Sequence, residues 1–294
     1  MKLIWMMSAV TLALTACNSA DEAGDVEKAV TDTATDMAMK PAPVTVEGYD
    51  VLSSDGYCTS AGPQTPRDIS FTAGTNGDTF MLAPSASQMN LCNIHTHTNA
   101  EHKGPGFSVE VGTGKYEGFQ CNDTSDLTEA ELAPYDNLDF GNVKPGDTIE
   151  VHWVHSTCDI EPGEGLGSCL SDTCEDPLLR VEAQTFLVVN DRNAADFMDF
   201  AEVMQKDGKF QPSAIPSGTG TPVVFRGSTT GSSYDAQGVC SPLRVTWSVR
   251  PECTKLDIAS LDAWAESGNV FNETDSHGIR PLVTDPRLIS AIEN

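Results

Sequence analysis

The chain has 294 residues, 39% of them hydrophobic, with 24 Gly and 17 Pro. That length and apolar content exclude a wholly disordered chain and allow one large domain or two small ones. Its charge is lopsided, 17 Lys and Arg against 43 Asp and Glu for a formal −26. A surface that negative repels phosphate backbones, so nucleic acid is excluded as an expected partner.

The N-terminus reads as an export signal. Lys2 precedes an apolar run, Leu3–Leu14, too short for an ordinary membrane span. Leu14-Thr15-Ala16-Cys17 resembles a bacterial lipobox, in which the signal (1–16) is removed and Cys17 is lipidated; a plain secretory signal cleaved after a small residue is the alternative. Residues 17–45 are rich in Ala, Asp, Thr and Glu and read as a disordered acidic tether. The expected location is the outer membrane of a Gram-negative bacterium, facing periplasm or cell surface. The lipid on Cys17 is then the chain's one membrane attachment.

Residues 46–294 read as a single β-rich domain. Ile149–Val154 alternates with a strand period after the turn signal Lys144-Pro-Gly-Asp147. Phe186–Asn190, Pro222–Arg226 and Leu243–Val249 also read as strands. Helical pattern is confined to short pieces near Ala194–Met204 and Leu256–Ala265, and the tail after Ser267 is irregular. Beyond Cys17, eight cysteines remain: Cys58, Cys92, Cys121, Cys158, Cys169, Cys174, Cys240 and Cys253. An even set in an exported chain reads as up to four disulfides of open connectivity. A zinc knuckle at Cys158, Cys169 and Cys174 is the weaker reading, since the chain has no Cys-x-x-Cys pair.

The chemistry concentrates in the histidines. Five of the six lie between residues 95 and 155, in Asn93-Ile-His95-Thr-His97, in the following Glu101-His102, and in Glu150-Val-His152-Trp-Val-His155. On a strand, residues i and i+2 share a face, so His95 and His97 can aim at one ion. His152 on a neighbouring strand completes a set of three imidazoles, the donor set of an open, catalytic zinc site. Polar residues stand two positions before His95 and His152, where an outer acceptor for a ligating ring belongs. His155, three residues from His152, faces the other way. With His102 it reads as a hydrogen-bonded structural histidine, and His277, in the tail, reads as exposed.

Taken in order, these motifs resemble the metal-site strands of α-class carbonic anhydrases. Gly227-Ser228-Thr229-Thr230 is similar to that family's Gly-Ser-Leu-Thr-Thr loop with one residue missing, and Val245-Thr-Trp247-Ser-Val249 to its following strand. The spelling of Asn93–Gly104, together with Gly-Ser-Thr-Thr-Gly231, is closer to the δ class, best known from diatoms. The resemblance spans about Cys58 to Cys253. It implies a mainly β (α+β) fold with a central, mostly antiparallel twisted sheet and short peripheral helices.

The resemblance also implies roles. His95, His97 and His152 become zinc ligands, with cadmium or cobalt as substitutes for the metal. Asn93 and Glu150 become the acceptors behind the ligand rings. Thr229 becomes the hydroxyl that meets the zinc-bound hydroxide, Glu101 the carboxylate that orients it, and Thr230 its neighbour at the bicarbonate site. Val154 and Trp247 become the apolar wall for carbon dioxide, and Cys58 and Cys240 a bridge steadying the Thr-Thr loop. The implied reaction is reversible hydration of carbon dioxide to bicarbonate and a proton by attack of that hydroxide.

The chain departs from the α pattern in four places. The loop from His97 to Glu101 is short, 103–149 is a long insertion, the missing Leu removes one wall of the pocket, and Gly231 replaces the prolines after Thr-Thr. These departures leave the hydroxyl's register open between Thr229 and Thr230. No histidine is carried over as a proton shuttle. Two rivals remain. His-x-His followed by Glu101 and a downstream Pro-Gly-Asp resembles a cupin motif, in which Glu101 is itself a ligand to iron or manganese in an oxidoreductase or isomerase. A noncatalytic metal-binding surface lipoprotein, with copper the sharpest version, is the other.

Overall fold

The computed structural model describes residues 45–46, 49–50, 62–136, 139–174, 176–229, 241 and 243–293. The export signal, Cys17, Cys58, Thr230 and Cys240 lie outside the described residues, as does the tether up to residue 44. Twelve strands occur in chain order: β1 (Thr45–Val46), β2 (Tyr49–Asp50), β3 (Asn90–Thr98), β4 (Phe107–Val111), β5 (Gly118–Cys121), β6 (Thr148–Ser156), β7 (Leu179–Val189), β8 (Val203–Lys206), β9 (Lys209–Pro212), β10 (Val223–Thr229), β11 (Leu243–Val249) and β12 (Thr254–Asp257). Among the described residues two short α-helices, α1 (Met198–Ala201) and α2 (Ile258–Glu266), and four short 3-10 helices join them.

The central sheet runs β10-β11-β7-β6-β3, and β12 pairs with β7 beyond the end of β11. It is mixed. The β3–β6, β6–β7 and β10–β11 pairs are antiparallel, while β11 and β12 lie successively along one edge of β7 in parallel. The remaining strands form separate two-stranded ribbons, β1–β2, β4–β5 and β8–β9.

Alternation along the strands sorts the side chains onto two faces. Ile94, Ile149, Val151, Trp153, Phe186 and Val188 lie in one buried cluster with Leu256, Leu261 and Trp264 of β12 and α2. Residues of the other register, Val154, Val181, Ala183, Val245 and Trp247, form a second cluster. His95, His97, Glu150 and His152 belong by register to that second face. A bulge at Leu91–Asn93 sets the phase of β3 against β6, so that His95 stands directly opposite His152.

Several sequence readings shift in detail. The helix expected near Ala194–Met204 shrinks to the four residues of α1, and Met204 lies in β8. The reason is the hairpin that follows: Asp207 and Gly208 take φ of 52° and 74°, the two-residue turn that Asp-Gly favours, and pair β8 with β9. The strand read at Phe186–Asn190 is the end of the eleven-residue β7, whose first half carries Arg180, Glu182 and Gln184 and so lacks a continuous apolar run. Asp257 caps α2 by accepting a hydrogen bond from the Ala259 amide.

The tail after Ser267 has neither helix nor strand, yet it is anchored. The His277 amide donates to the Thr96 carbonyl at 2.8 Å and the Thr98 amide to the His277 carbonyl at 2.7 Å, which covers the open edge of β3. Disulfides join Cys92 to Cys169, Cys121 to Cys253 and Cys158 to Cys174. Two of the three knuckle cysteines are thus paired with each other, and the third with Cys92. Among the described residues, no helix is long and apolar enough to cross a membrane.

Candidate metal centre

Three imidazoles meet on the site face of the sheet. His95 and His152 are cross-strand partners and His97 lies two residues further along β3. The ring centroids are 5.0 Å apart for His95–His97, 5.0 Å for His95–His152 and 4.7 Å for His97–His152. All three rings are buried, and each offers a nitrogen within 4.8 Å of the others.

Hydrogen bonds fix which nitrogen faces inward. The Asn93 amide donates to the Gly163 carbonyl at 3.0 Å, which leaves its oxygen to accept from His95 Nδ1 at 2.7 Å. Glu150 Oε1 accepts from His152 Nε2 at 3.0 Å. These bonds leave His95 Nε2 and His152 Nδ1 turned inward, 3.2 Å apart. Two ring nitrogens converging at that distance suit a shared cation. Neither nitrogen of His97 has a hydrogen-bond partner, although the ring is buried. This donor set fits a borderline-soft divalent metal such as zinc.

Glu150 organises more than one ligand. Its Oε1 also accepts from His102 Nδ1 at 2.8 Å, and its Oε2 from the backbone amides of Glu101 and His102 at 2.8 and 3.1 Å. One buried carboxylate thus orients His152 and pins the turn that carries Glu101. Burial opposes its ionisation, but His102 and the hydrogen bonds from His102 and His152 hold its carboxyl well below the ordinary value. Burial also pushes His95 well below the usual imidazole range, helped by the neighbouring imidazoles, and holds His97 at about 3 despite Glu101. Both rings are neutral, as metal ligands must be.

A cavity of about 20 Å³ lies at this cluster, lined by His95, His97, Glu101, His152, Leu166, Thr229, Trp247, Gly278 and Arg280. Thr229 ends β10, and Trp247 stands edge-on to His152 with centroids 5.0 Å apart. Gly227 allows this packing, because a Cβ there would collide with Thr65 and Trp247. Val154 is buried in the same core as Trp247 but does not line the cavity. Glu101 Oε2 lies 3.5 Å from His97 Nδ1, and its Oε1 lies 3.8 Å from Arg280 Nη2. Burial opposes ionisation of Glu101, and His97 and Arg280 outweigh it, leaving the carboxyl below its ordinary value. A larger cavity, about 440 Å³, lies elsewhere among Thr98, Tyr116, Asn142 and Lys144 and holds none of these groups.

Sequence reasoning missed four contributors. Leu166 reaches the cavity from the segment clamped by the Cys92–Cys169 bridge and supplies an apolar side to it. Gly278 and Arg280 come from the tail. His277, read as exposed, is only partly so: its ring bonds Glu273 at 2.8 Å and lies 6.5 Å from that of His95. The one available signal was the spacing of polar residues in Glu273…His277…Arg280. His102 and His155 are fully buried, with Nδ1 of each hydrogen-bonded, to Glu150 and to the Trp153 carbonyl respectively.

A mixed sheet presenting three imidazoles on one face, each strand carrying its own outer acceptor, defines a three-histidine site. A family model described as delta carbonic anhydrase matches residues 86–260, more than half of the chain, and the chain belongs to that family. Among solved structures it is similar to the α-carbonic anhydrase of Photobacterium profundum, at 18% identity over 76% of this chain and 88% of that one, with a TM-score of 0.26. It is also similar to the α-carbonic anhydrase of Thermovibrio ammonificans in complex with the inhibitor sulfanilamide, at 16% identity over 73% and 83%, with a TM-score of 0.25. At those scores neither likeness assigns a residue. No curated protein sequence matches the chain.

Proposed function

We propose that this enzyme hydrates carbon dioxide reversibly to bicarbonate and a proton, with zinc held by His95 Nε2, His97 and His152 Nδ1. The observation that carries the reading is the convergence of His95 Nε2 and His152 Nδ1 to 3.2 Å, with Asn93 and Glu150 bonded to the outer nitrogens of the two rings. Zinc in such a site supplies a Lewis acid that makes hydroxide available at neutral pH, chemistry for which carbonic anhydrases are the type example.

The chain's own residues do the rest. Three neutral ligands leave the metal's charge undiminished, which is the physical reason to keep Glu101 out of the ligand set. In this reading Thr229 Oγ1 accepts a hydrogen bond from the attacking oxygen and donates its own proton to Glu101, aiming a lone pair at the substrate carbon. Leu166 and Trp247 line the apolar side of the cavity where a nonpolar substrate rests, and Val154 supports Trp247 from within the core. Membership of the delta carbonic anhydrase family supports this reading over the cupin and noncatalytic-binder ones. We further propose that residues 1–16 are a lipoprotein signal, that Cys17 carries the lipid, and that 17–45 tether the catalytic domain, 46–294, to the outer membrane.

The test is metal analysis of the purified chain beside His152→Ala. Zinc is expected at one equivalent in the parent and at background in the variant. An iron-loaded parent protein contradicts the proposal.

A further inference from the structure

We propose that Arg280, delivered by the C-terminal tail, is a positioning residue that holds Glu101 and the strand end of Thr229 in register with the three histidines. The inference rests on the carbonic anhydrase reading only for its effect on turnover. Arg280 is largely buried, and its guanidinium spans three segments far apart in sequence. Nη1 donates to Ser241 Oγ, Nη2 donates to Thr65 Oγ1 at 3.4 Å, and Nη2 lies 3.8 Å from Glu101 Oε1.

Each contact leads to the reacting side of the cavity. Thr65 Oγ1 donates to the Ser228 carbonyl at 2.5 Å and accepts from the Ser228 amide at 3.4 Å, so it fastens the residue before Thr229. Ser241 is tied to the same block, since its amide donates to Gln64 Oε1 at 2.6 Å. Glu101 and Thr229 both line the cavity with the histidines. A planar, multi-donor cation meets this geometry, and a lysine ammonium on its flexible stem does not. Arg280 is also the cation that neutralises Glu101, a carboxylate 2% exposed beside the place where an anionic product forms.

The test is a double-mutant cycle in the full chain with Arg280→Gln, Glu101→Gln and the pair, and with Arg280→Lys as the conservative variant. R280Q is expected to keep its zinc and to lose kcat by about ten-fold with KM little changed, and R280K to recover part of the loss. In the E101Q background the same change should cost under about two-fold, because the group being positioned is gone. A second arm follows urea unfolding of the metal-free protein. R280Q should lower the midpoint by stranding a buried carboxylate, and E101Q should restore it. That arm stands or falls without reference to carbon dioxide, so failure of the enzymatic reading is separable from failure of this one. An R280Q protein with parental kcat, or full additivity in both arms, overturns the proposal. If R280Q does not fold, the double variant decides: folded supports coupling to Glu101, unfolded overturns it.

Discussion

His155 and His152 sit three residues apart on one strand and show what a face decides. His152 points to the cavity with Glu150 behind it, while His155 belongs to the opposite register and is sealed at 0% exposure. Burial holds the His155 imidazole at about 4, against the pull of Glu182 and of its bond to the Trp153 carbonyl. The unfolded chain takes up this proton near 6.5 and the folded chain only near 4, so acid favours unfolding across that interval. Stability present above about pH 6.5 is therefore lost as pH falls toward 4, by up to roughly 3 kcal/mol from this group. His155→Gln should flatten the fall of the urea midpoint between those pH values, while parallel curves for parent and variant would refute this account of the residue.

At the scale of elements, the site is a property of register. The i, i+2 spacing of His95 and His97 and the polar residues ahead of His95 and His152 were legible in the chain because strands alternate strictly. What placed His152 opposite His95 was not legible: it depends on the bulge at Leu91–Asn93, an unpaired residue that no periodicity reveals. Leu166 and Arg280 were hidden for a related reason. Leu166 opens a short 3-10 helix held by a disulfide, and Arg280 lies in the irregular tail held by backbone bonds to β3; such tethers leave no local pattern. The Asp207-Gly208 turn, by contrast, was a readable hairpin signal that the helical pattern near Ala194–Met204 obscured.

The division of faces yields a prediction at this scale too. Asp257 caps α2 and pairs with Arg192 at 3.1 Å, on the cluster opposite the histidines. Replacing it with Ala should cost about 1 kcal/mol of stability and leave turnover per folded molecule unchanged. Thermal unfolding beside a steady-state assay checks this, and a fall in turnover without a fall in stability would show that the two faces are coupled.

Over the whole molecule, charge and cysteines separate from chemistry. The formal −26 does not set the chemistry of the site, since the proposed ligands are imidazoles and Glu101 faces Arg280. Among the described residues six cysteines close three bridges, one of which, Cys121–Cys253, ties the β5 edge to the chain just before β12. If Cys17 is the anchor, Cys17→Ser should move the protein from the membrane fraction to the soluble one without altering its activity. Retention in membranes would sink that assignment. In the proposed mechanism His95, oriented by Asn93, His152, oriented by Glu150, and His97 hold zinc for carbon dioxide hydration. Stopped-flow hydration by chelator-stripped and zinc-restored protein tests it most directly. The account predicts activity that vanishes with the metal and returns in proportion to zinc bound; hydration that is absent from the zinc-restored protein, or unchanged by stripping, would contradict it.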